Sequence, residues 1–192
     1  MKFTKYIIAV LILIAIIVLY NTPAITTWRY FNNGVNAFNK QQFEAAAQAF
    51  RQAASHSDDP ILVYNWVLSQ SKFLQKSLAG DSDAVRQVQP KLMRCRQVVD
   101  SLLQVKQLPQ NVYKNSLFLQ GKLQLASGDT SAAVHSFSQA LDSQRDFEPA
   151  LVALAKLKQD QGSDPVNDAV RRLVLKMAGS EEPGIVEKFK PF

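Results

Sequence analysis

The stretch "GVNAFNKQQFEAAAQAFRQAA", Gly34 to Ala54, combines glycine, alanine and phenylalanine at spacings that return later in the chain. The later stretch is "GKLQLASGDTSAAVHSFSQAL", Gly121 to Leu141, and the two align without a gap. The matched positions are Gly34 with Gly121, Phe38 with Leu125, Ala46 with Ala133, Phe50 with Phe137, and Ala53 with Ala140. The two stretches are therefore predicted to be copies of one structural unit whose packing depends on these ten residues.

The shared pattern resembles the tetratricopeptide repeat, a helical hairpin of about 34 residues that stacks into a solenoid. The resemblance is good over Tyr30 to Ala54 and fair over Leu117 to Leu141. It implies that glycine and alanine lie where two helix backbones approach, and that aromatic rings fill the wider space between successive hairpins. The predicted fold is therefore all-α: an N-terminal transmembrane helix followed by an irregular solenoid of about four hairpins.

The chain departs from the repeat in three ways. The closing proline of the repeat is replaced by Asp58 and Arg145, with Pro60 and Pro149 displaced later. Tyr30 and Leu117 stand where the repeat usually has tryptophan, and Gly34 and Gly121 are 87 residues apart, which is not a multiple of 34. The middle hairpin, Pro60 to Lys106, is therefore expected to be elongated or irregular. Glu148 to Ala178 is expected to form a final hairpin.

Helix boundaries are indicated by capping residues, prolines and glycines. Thr22, Asp59 and Asp164 each offer a capping oxygen before a proline, and Gly80 and Gly128 each precede an aspartate. Pro90 lies inside an apolar stripe of helical spacing, so a kink or short break is expected there. The predicted helices are Phe3 to Tyr20, Pro23 to Lys40, Gln42 to Ser55, Pro60 to Ala79, Ser82 to Lys106, Asn111 to Ser127, Thr130 to Ser143, Glu148 to Gln161 and Pro165 to Ala178.

The N-terminal run from Tyr6 to Tyr20 is apolar and uncharged, and with Phe3 and Thr4 a helix here reaches roughly 27 Å. Lys5, Tyr6 and Tyr20 are predicted to anchor it at the membrane interfaces. Lys2 and Lys5 precede the run, so the N-terminus is predicted to be cytoplasmic and the rest periplasmic, with a single pass through the inner membrane. A signal peptide cleaved near Thr22 to Ala24 is the alternative.

These boundaries divide the chain into three parts. Residues 1–22 form a cytoplasmic stub and signal-anchor, residues 23–178 a repeat-like helical domain, and residues 179–192 a tail. The tail has lost helical periodicity, and it is either loose or folded back through Ile185, Val186, Phe189 and Phe192.

The 192-residue chain has 47% hydrophobic residues and a formal net charge of +6. The densest basic groups are Lys91/Arg94/Arg96 and Arg171/Arg172/Lys176, at spacings typical of the solvated side of a helix. Binding of a polyanion through these basic helix faces is one alternative function, although nucleic acid is not the favoured partner.

Few residues are suited to catalysis or metal binding. Cys95, the only cysteine, lies on the stripe of Val88, Leu92 and Val99, where a packed thiol is expected. His135 has Ser131, Ser138 and Asp142 at helical spacing but no oxyanion hole. His56 stands in "SHSDDP", which is typical of a capped turn. No catalytic residue, metal site, cofactor or small-molecule substrate is predicted.

Asn32, Asn36 and Asn39 share one helix face, where their amides are predicted to hydrogen-bond an extended peptide of a partner. The predicted function is a membrane-anchored adaptor that holds membrane or periplasmic proteins together. A scaffold subunit of a secretion, pilus or cell-division assembly is the alternative. The layout is also similar to that of the MxaK family of accessory proteins of bacterial methanol oxidation. That similarity implies a role in the assembly or calcium-dependent maturation of methanol dehydrogenase.

Overall fold

The structure is a computed structural model that describes Tyr6, residues 10–13, 22–78 and 82–160, Gly184 and Val186. Within this part the protein is all-helical and contains no strand. Residues 10–13 are helical. The helices that follow are α1 (Pro23–Asn39), α2 (Phe43–Ala54), α3 (Pro60–Leu78), α4 (Ser82–Leu103), α5 (Gln110–Ala126), α6 (Thr130–Ser143) and α7 (Glu148–Asp160).

These bounds confirm the helices predicted between Pro23 and Gln161 to within a few residues at each end. Of the kink or short break expected at Pro90, the break is absent, because helix α4 continues through this residue. Pro90 itself is exposed, on the side of α4 away from the core. The predicted helix Pro165 to Ala178 lies outside the described residues.

Two aspartates begin helices as expected. Asp59 accepts a hydrogen bond from the amide of Ile61 at 2.8 Å, and Asp129 accepts one from the amide of Ala132 at 3.2 Å. Each bond satisfies an amide that has no partner inside the helix. Thr22 differs, because its side chain makes no capping bond to α1. Pro23 at the first helical position already removes one of the amides that need a cap.

Each helix packs mainly on the next one along the chain, and α3 also contacts α5. The buried side chains form two clusters. The larger one joins α1 to α5 through residues such as Phe31, Phe50, Tyr64, Leu92 and Val99, and the smaller one joins α5, α6 and α7 through Phe118, Phe137 and Phe147. The described apolar stripe of α4, including Cys95, faces the larger cluster as predicted.

The two sequence copies share one contact between a glycine and a phenylalanine ring. A β-carbon built on Gly34 meets Phe50 ring carbons at 2.7 Å, and one built on Gly121 meets a Phe137 ring carbon at 2.5 Å. Both rings are fully buried. Within each hairpin the glycine therefore makes room for the ring on its partner helix. This differs from the expectation that the glycines lie where two backbones approach, because the space left by the missing glycine side chain is occupied by the ring. The expected place of the rings between successive hairpins stays a prediction.

The remaining matched positions also occupy equivalent places. Ala46, Ala53, Ala133 and Ala140 have no exposed surface. Phe38 is half-buried against the larger cluster, and Leu125 is half-buried against the smaller one. A second ring touches each buried phenylalanine, since Phe31 lies 5.8 Å from Phe50 and Phe118 lies 5.4 Å from Phe137 between ring centroids. Within each hairpin, the short alanine side chains thus keep the two helices close enough for their rings to meet.

The turn between the two helices of each hairpin is the same as well. Gln41 has a φ of 58° and Gly128, 87 residues later, has a φ of 80°. In both turns the amide of this residue donates to the carbonyl three residues earlier, and the next amide donates to the carbonyl five residues earlier. Glycine adopts this left-handed conformation without strain, whereas glutamine does so at a cost. The second turn is therefore the better adapted of the two.

None of the described residues belongs to a helix that is long and apolar enough to span a bilayer. Most of the predicted anchor, including Lys5 and Tyr20, lies outside the described residues.

Overpacking at Ala46 is expected to destabilise the first hairpin. Ala46→Leu adds three carbons where no surface is exposed, and we expect it to lower the free energy of unfolding by about 1 to 3 kcal/mol. Ala45→Leu is the matched control, because Ala45 is the preceding residue of α2 and is exposed. Urea unfolding followed by circular dichroism measures both, and equal losses for the two variants would contradict the packing described for α2.

Candidate peptide-binding site

A buried asparagine on α3 holds the main chain of the C-terminal tail. The Asn65 side chain donates through Nδ2 to the carbonyl of Val186 at 2.9 Å and accepts through Oδ1 from the amide of Val186 at 2.8 Å. Asn65 has no exposed surface, and Val186 is buried against the same cluster. One side chain therefore satisfies both hydrogen-bonding groups of one tail residue.

The surroundings of Asn65 explain why this pairing forms. The segment "PILVYNWVL", Pro60 to Leu68, places a single amide among apolar side chains. An amide removed from water without partners costs several kcal/mol in an apolar environment, so buried amides are almost always hydrogen-bonded. Within α3 the backbone groups pair with one another, so they are not free to pair with the Asn65 side chain. The Val186 carbonyl supplies the acceptor and the Val186 amide supplies the donor that this side chain requires.

The neighbouring tyrosine adds a second hydrogen bond to the tail. The Tyr64 hydroxyl donates to the carbonyl of Gly184 at 3.3 Å, and its ring is buried. Burial raises the pKa of this hydroxyl well above its usual value, and a hydrogen bond with Asn115 opposes that shift to a smaller extent. The hydroxyl therefore stays protonated at physiological pH and remains a donor.

All three of these bonds go to the main chain of the tail. Every residue carries a carbonyl, and every residue except proline carries an amide, so this part of the site does not select a side chain. Selection comes from the buried Val186 side chain, which needs an apolar place to pack. The arrangement can thus bind a chain segment by its backbone and one apolar residue.

The predicted asparagine cluster is elsewhere. Asn36 and Asn39 are exposed on α1 and Asn32 is half-buried. Their role as peptide ligands stays a prediction, whereas Asn65, which performs this role toward the tail, was not predicted. Its signal in the sequence is an isolated amide within an apolar helix, a position where an unpaired side chain is costly. Of the tail residues expected to fold back, Val186 does so, and Ile185, Phe189 and Phe192 lie outside the described residues.

The side chains considered for catalysis are placed apart from this site. His135 is exposed, Ser131 donates to Asp129 and Ser138 donates to the carbonyl of Val134 within its own helix. The His56 ring stacks on Tyr30 with 6.0 Å between centroids. In the described part of the chain no cluster of histidine, cysteine or carboxylate side chains is arranged to hold a metal ion.

Comparison with protein-family models gives no match, and comparison with curated proteins gives no significantly similar sequence. The similarity in layout to the MxaK family therefore stays a prediction.

Removing the Asn65 amide is expected to release the tail. Asn65→Leu keeps the approximate volume but leaves the Val186 amide and carbonyl without their partners, and an unsatisfied buried group costs about 1 to 3 kcal/mol. We expect hydrogen exchange at the Val186 amide to accelerate at least about tenfold, measured by mass spectrometry of C-terminal peptides. Asn33→Leu on the exposed side of α1 is the control and leaves this exchange unchanged. The hydrogen-bonded pair of the Asn65 side chain and the Val186 main chain is called the clamp below. Unaltered Val186 exchange in Asn65→Leu would show that the clamp does not hold the tail.

The Cys95 thiol is expected to be unreactive in the folded chain. Burial raises its pKa from 9.0 to about 11, and the nearby Arg94 guanidinium acts in the opposite direction. At pH 8 the thiolate fraction is then about a hundredfold smaller than in the unfolded chain, and the thiolate is the species that reacts. Alkylation by iodoacetamide at pH 8, compared between the folded chain and the chain in urea, measures this difference, and equal rates would contradict the buried position of the thiol.

Proposed function

We propose that this protein is a non-enzymatic adaptor, anchored in the inner membrane by its N-terminal segment, that holds extended segments of partner proteins on its periplasmic helical hairpins. The observation that carries the proposal is the paired hydrogen bonding between Asn65 and Val186. A helix face that binds one chain segment through its main chain is chemically suited to bind others.

The arrangement of the hairpins supports a preformed receptor. The glycine, phenylalanine and turn geometries of α1–α2 recur in α5–α6 at an offset of 87 residues, and consecutive helices pack on each other. We propose that the hairpins stack as an irregular solenoid of the tetratricopeptide type. A receptor that is already folded orders a partner segment without ordering itself, which reduces the entropic cost of binding.

The exposed N-terminal apolar residues support the membrane anchor. Tyr6 is 71% exposed, and Val10, Leu11, Ile12 and Leu13 are each more than half exposed. Consecutive exposed apolar side chains need a cover other than water, and a lipid bilayer supplies one. Anchoring also concentrates the hairpins near other membrane-bound subunits.

The test asks whether the site accepts a segment in trans. A fluorescein-labelled peptide of residues 181–192, EEPGIVEKFKPF, is titrated with the full chain in lipid nanodiscs and followed by fluorescence anisotropy. Val186→Asp in the chain introduces a charge at a buried position and so displaces its own tail. We expect this variant to bind the peptide at least about tenfold more tightly than the unchanged chain, whose attached tail competes at high effective concentration.

The matched control is the double variant Asn65→Leu/Val186→Asp, which has the same free tail but no clamp and is expected not to bind. Circular dichroism establishes that both variants are folded. Failure of a folded Val186→Asp chain to bind the peptide, or equal binding by the double variant, would overturn the proposed mode of recognition.

A further inference from the structure

A groove of about 310 Å³ lies between α2, α3 and α4, on residues distinct from those that hold the tail. Its floor is apolar: Val67 and Cys95 are buried, and Val98 is half-buried. Trp66 and Phe73 contribute half-buried rings to its wall. The groove therefore offers an apolar base that is open to solvent from above.

Positive charge converges at the rim of this groove. Arg51 approaches from α2, and Lys91 and Arg94 approach from α4; all three side chains are exposed. Glu44 is the one carboxylate among the described residues that line it. In the described part of the chain these three cations have no carboxylate within ion-pair distance, in contrast to Arg96, which pairs with Asp129 at 3.6 Å. Among the described residues, the groove thus carries an excess of positive charge.

The sequence alone does not show this cluster, because Arg51 is 40 residues away from Lys91. The Arg51 guanidinium lies 5.8 Å from the centroid of the Trp66 ring, which holds it over the wall of the groove. A concave surface lined with one sign of charge attracts ligands of the opposite sign more strongly than a flat one.

We propose that this groove is a second binding site, for an acidic segment of a partner protein that carries an apolar side chain between its carboxylates. The apolar side chain packs on Val67, Cys95 and Val98, and the carboxylates face the three cations at the rim. A nucleic acid fits this surface less well, because its phosphates gain nothing from the apolar floor and the described rings are half-buried. The residues that line the groove do not include Asn65, so the failure of the tail-binding proposal would leave this proposal unaffected.

The experiment measures binding of three labelled peptides to the full chain in phosphatidylcholine nanodiscs, which carry no net lipid charge. GEELEEG has the proposed chemistry, GQQLQQG lacks the carboxylates and GEESEEG lacks the apolar side chain. We expect GEELEEG to bind about tenfold more tightly than either of the others, since burying one leucine side chain or pairing several charges each changes affinity by about that factor.

The variant Arg94→Glu is compared with Arg145→Glu, which makes the same charge change at an exposed residue outside the groove. We expect Arg94→Glu to weaken GEELEEG binding about tenfold and Arg145→Glu to weaken it less than about twofold. Equal effects of the two variants, or equal binding of GEESEEG and GEELEEG, would overturn the proposal. Tighter binding of a labelled twelve-nucleotide oligothymidylate than of GEELEEG would overturn it as well, in favour of a phosphate-binding surface.

Discussion

The fit of a phenylalanine ring into the space above a helical glycine is the constraint on which the hairpins α1–α2 and α5–α6 both depend. A β-carbon on Gly34 or Gly121 would lie closer to the ring than carbon atoms approach each other in proteins. Tightly packed interiors do not absorb such an overlap without moving a helix. Because α2 also packs on α3, a shift of the Phe50 ring would be passed on to the helix that carries Asn65. The glycine thus influences the position of the clamp through two successive helix contacts.

The clamp joins a stability requirement to the proposed binding function in one residue. Asn65 is buried, so it has to be paired, and the groups that pair with it belong to the main chain of the tail. An apolar residue at this position would leave the Val186 amide and carbonyl without partners, so the Asn65 amide both stabilises the folded tail and fixes where its main chain lies. What the amide adds is directional recognition of a chain segment.

The sequence predicts the local structure well for a physical reason. Helix bounds follow from capping residues, prolines and apolar spacing, all of which act over a few residues, and so α1 to α7 match their predicted ranges. The places of Phe50 and Phe137 in the core follow from the repeated pattern. Contacts between distant segments are different. The pairing of Asn65 with Val186 spans 121 residues, and the cations of the groove come from separate helices, so neither leaves a periodic signal. The peptide site predicted on α1 rests on helical periodicity alone, which carries no information about contacts between distant segments.

A double-mutant cycle on Gly34 and Phe50 measures directly whether the ring fills the space above the glycine. Unfolding free energies are measured for Gly34→Ala, for Phe50→Leu and for the double variant. If the ring occupies the space above the glycine, the smaller leucine relieves the overlap, and the double variant is more stable than the sum of the single losses predicts by about 0.5 to 3 kcal/mol. Strictly additive losses would show that the two residues are not in contact and would contradict the packing described for α1–α2.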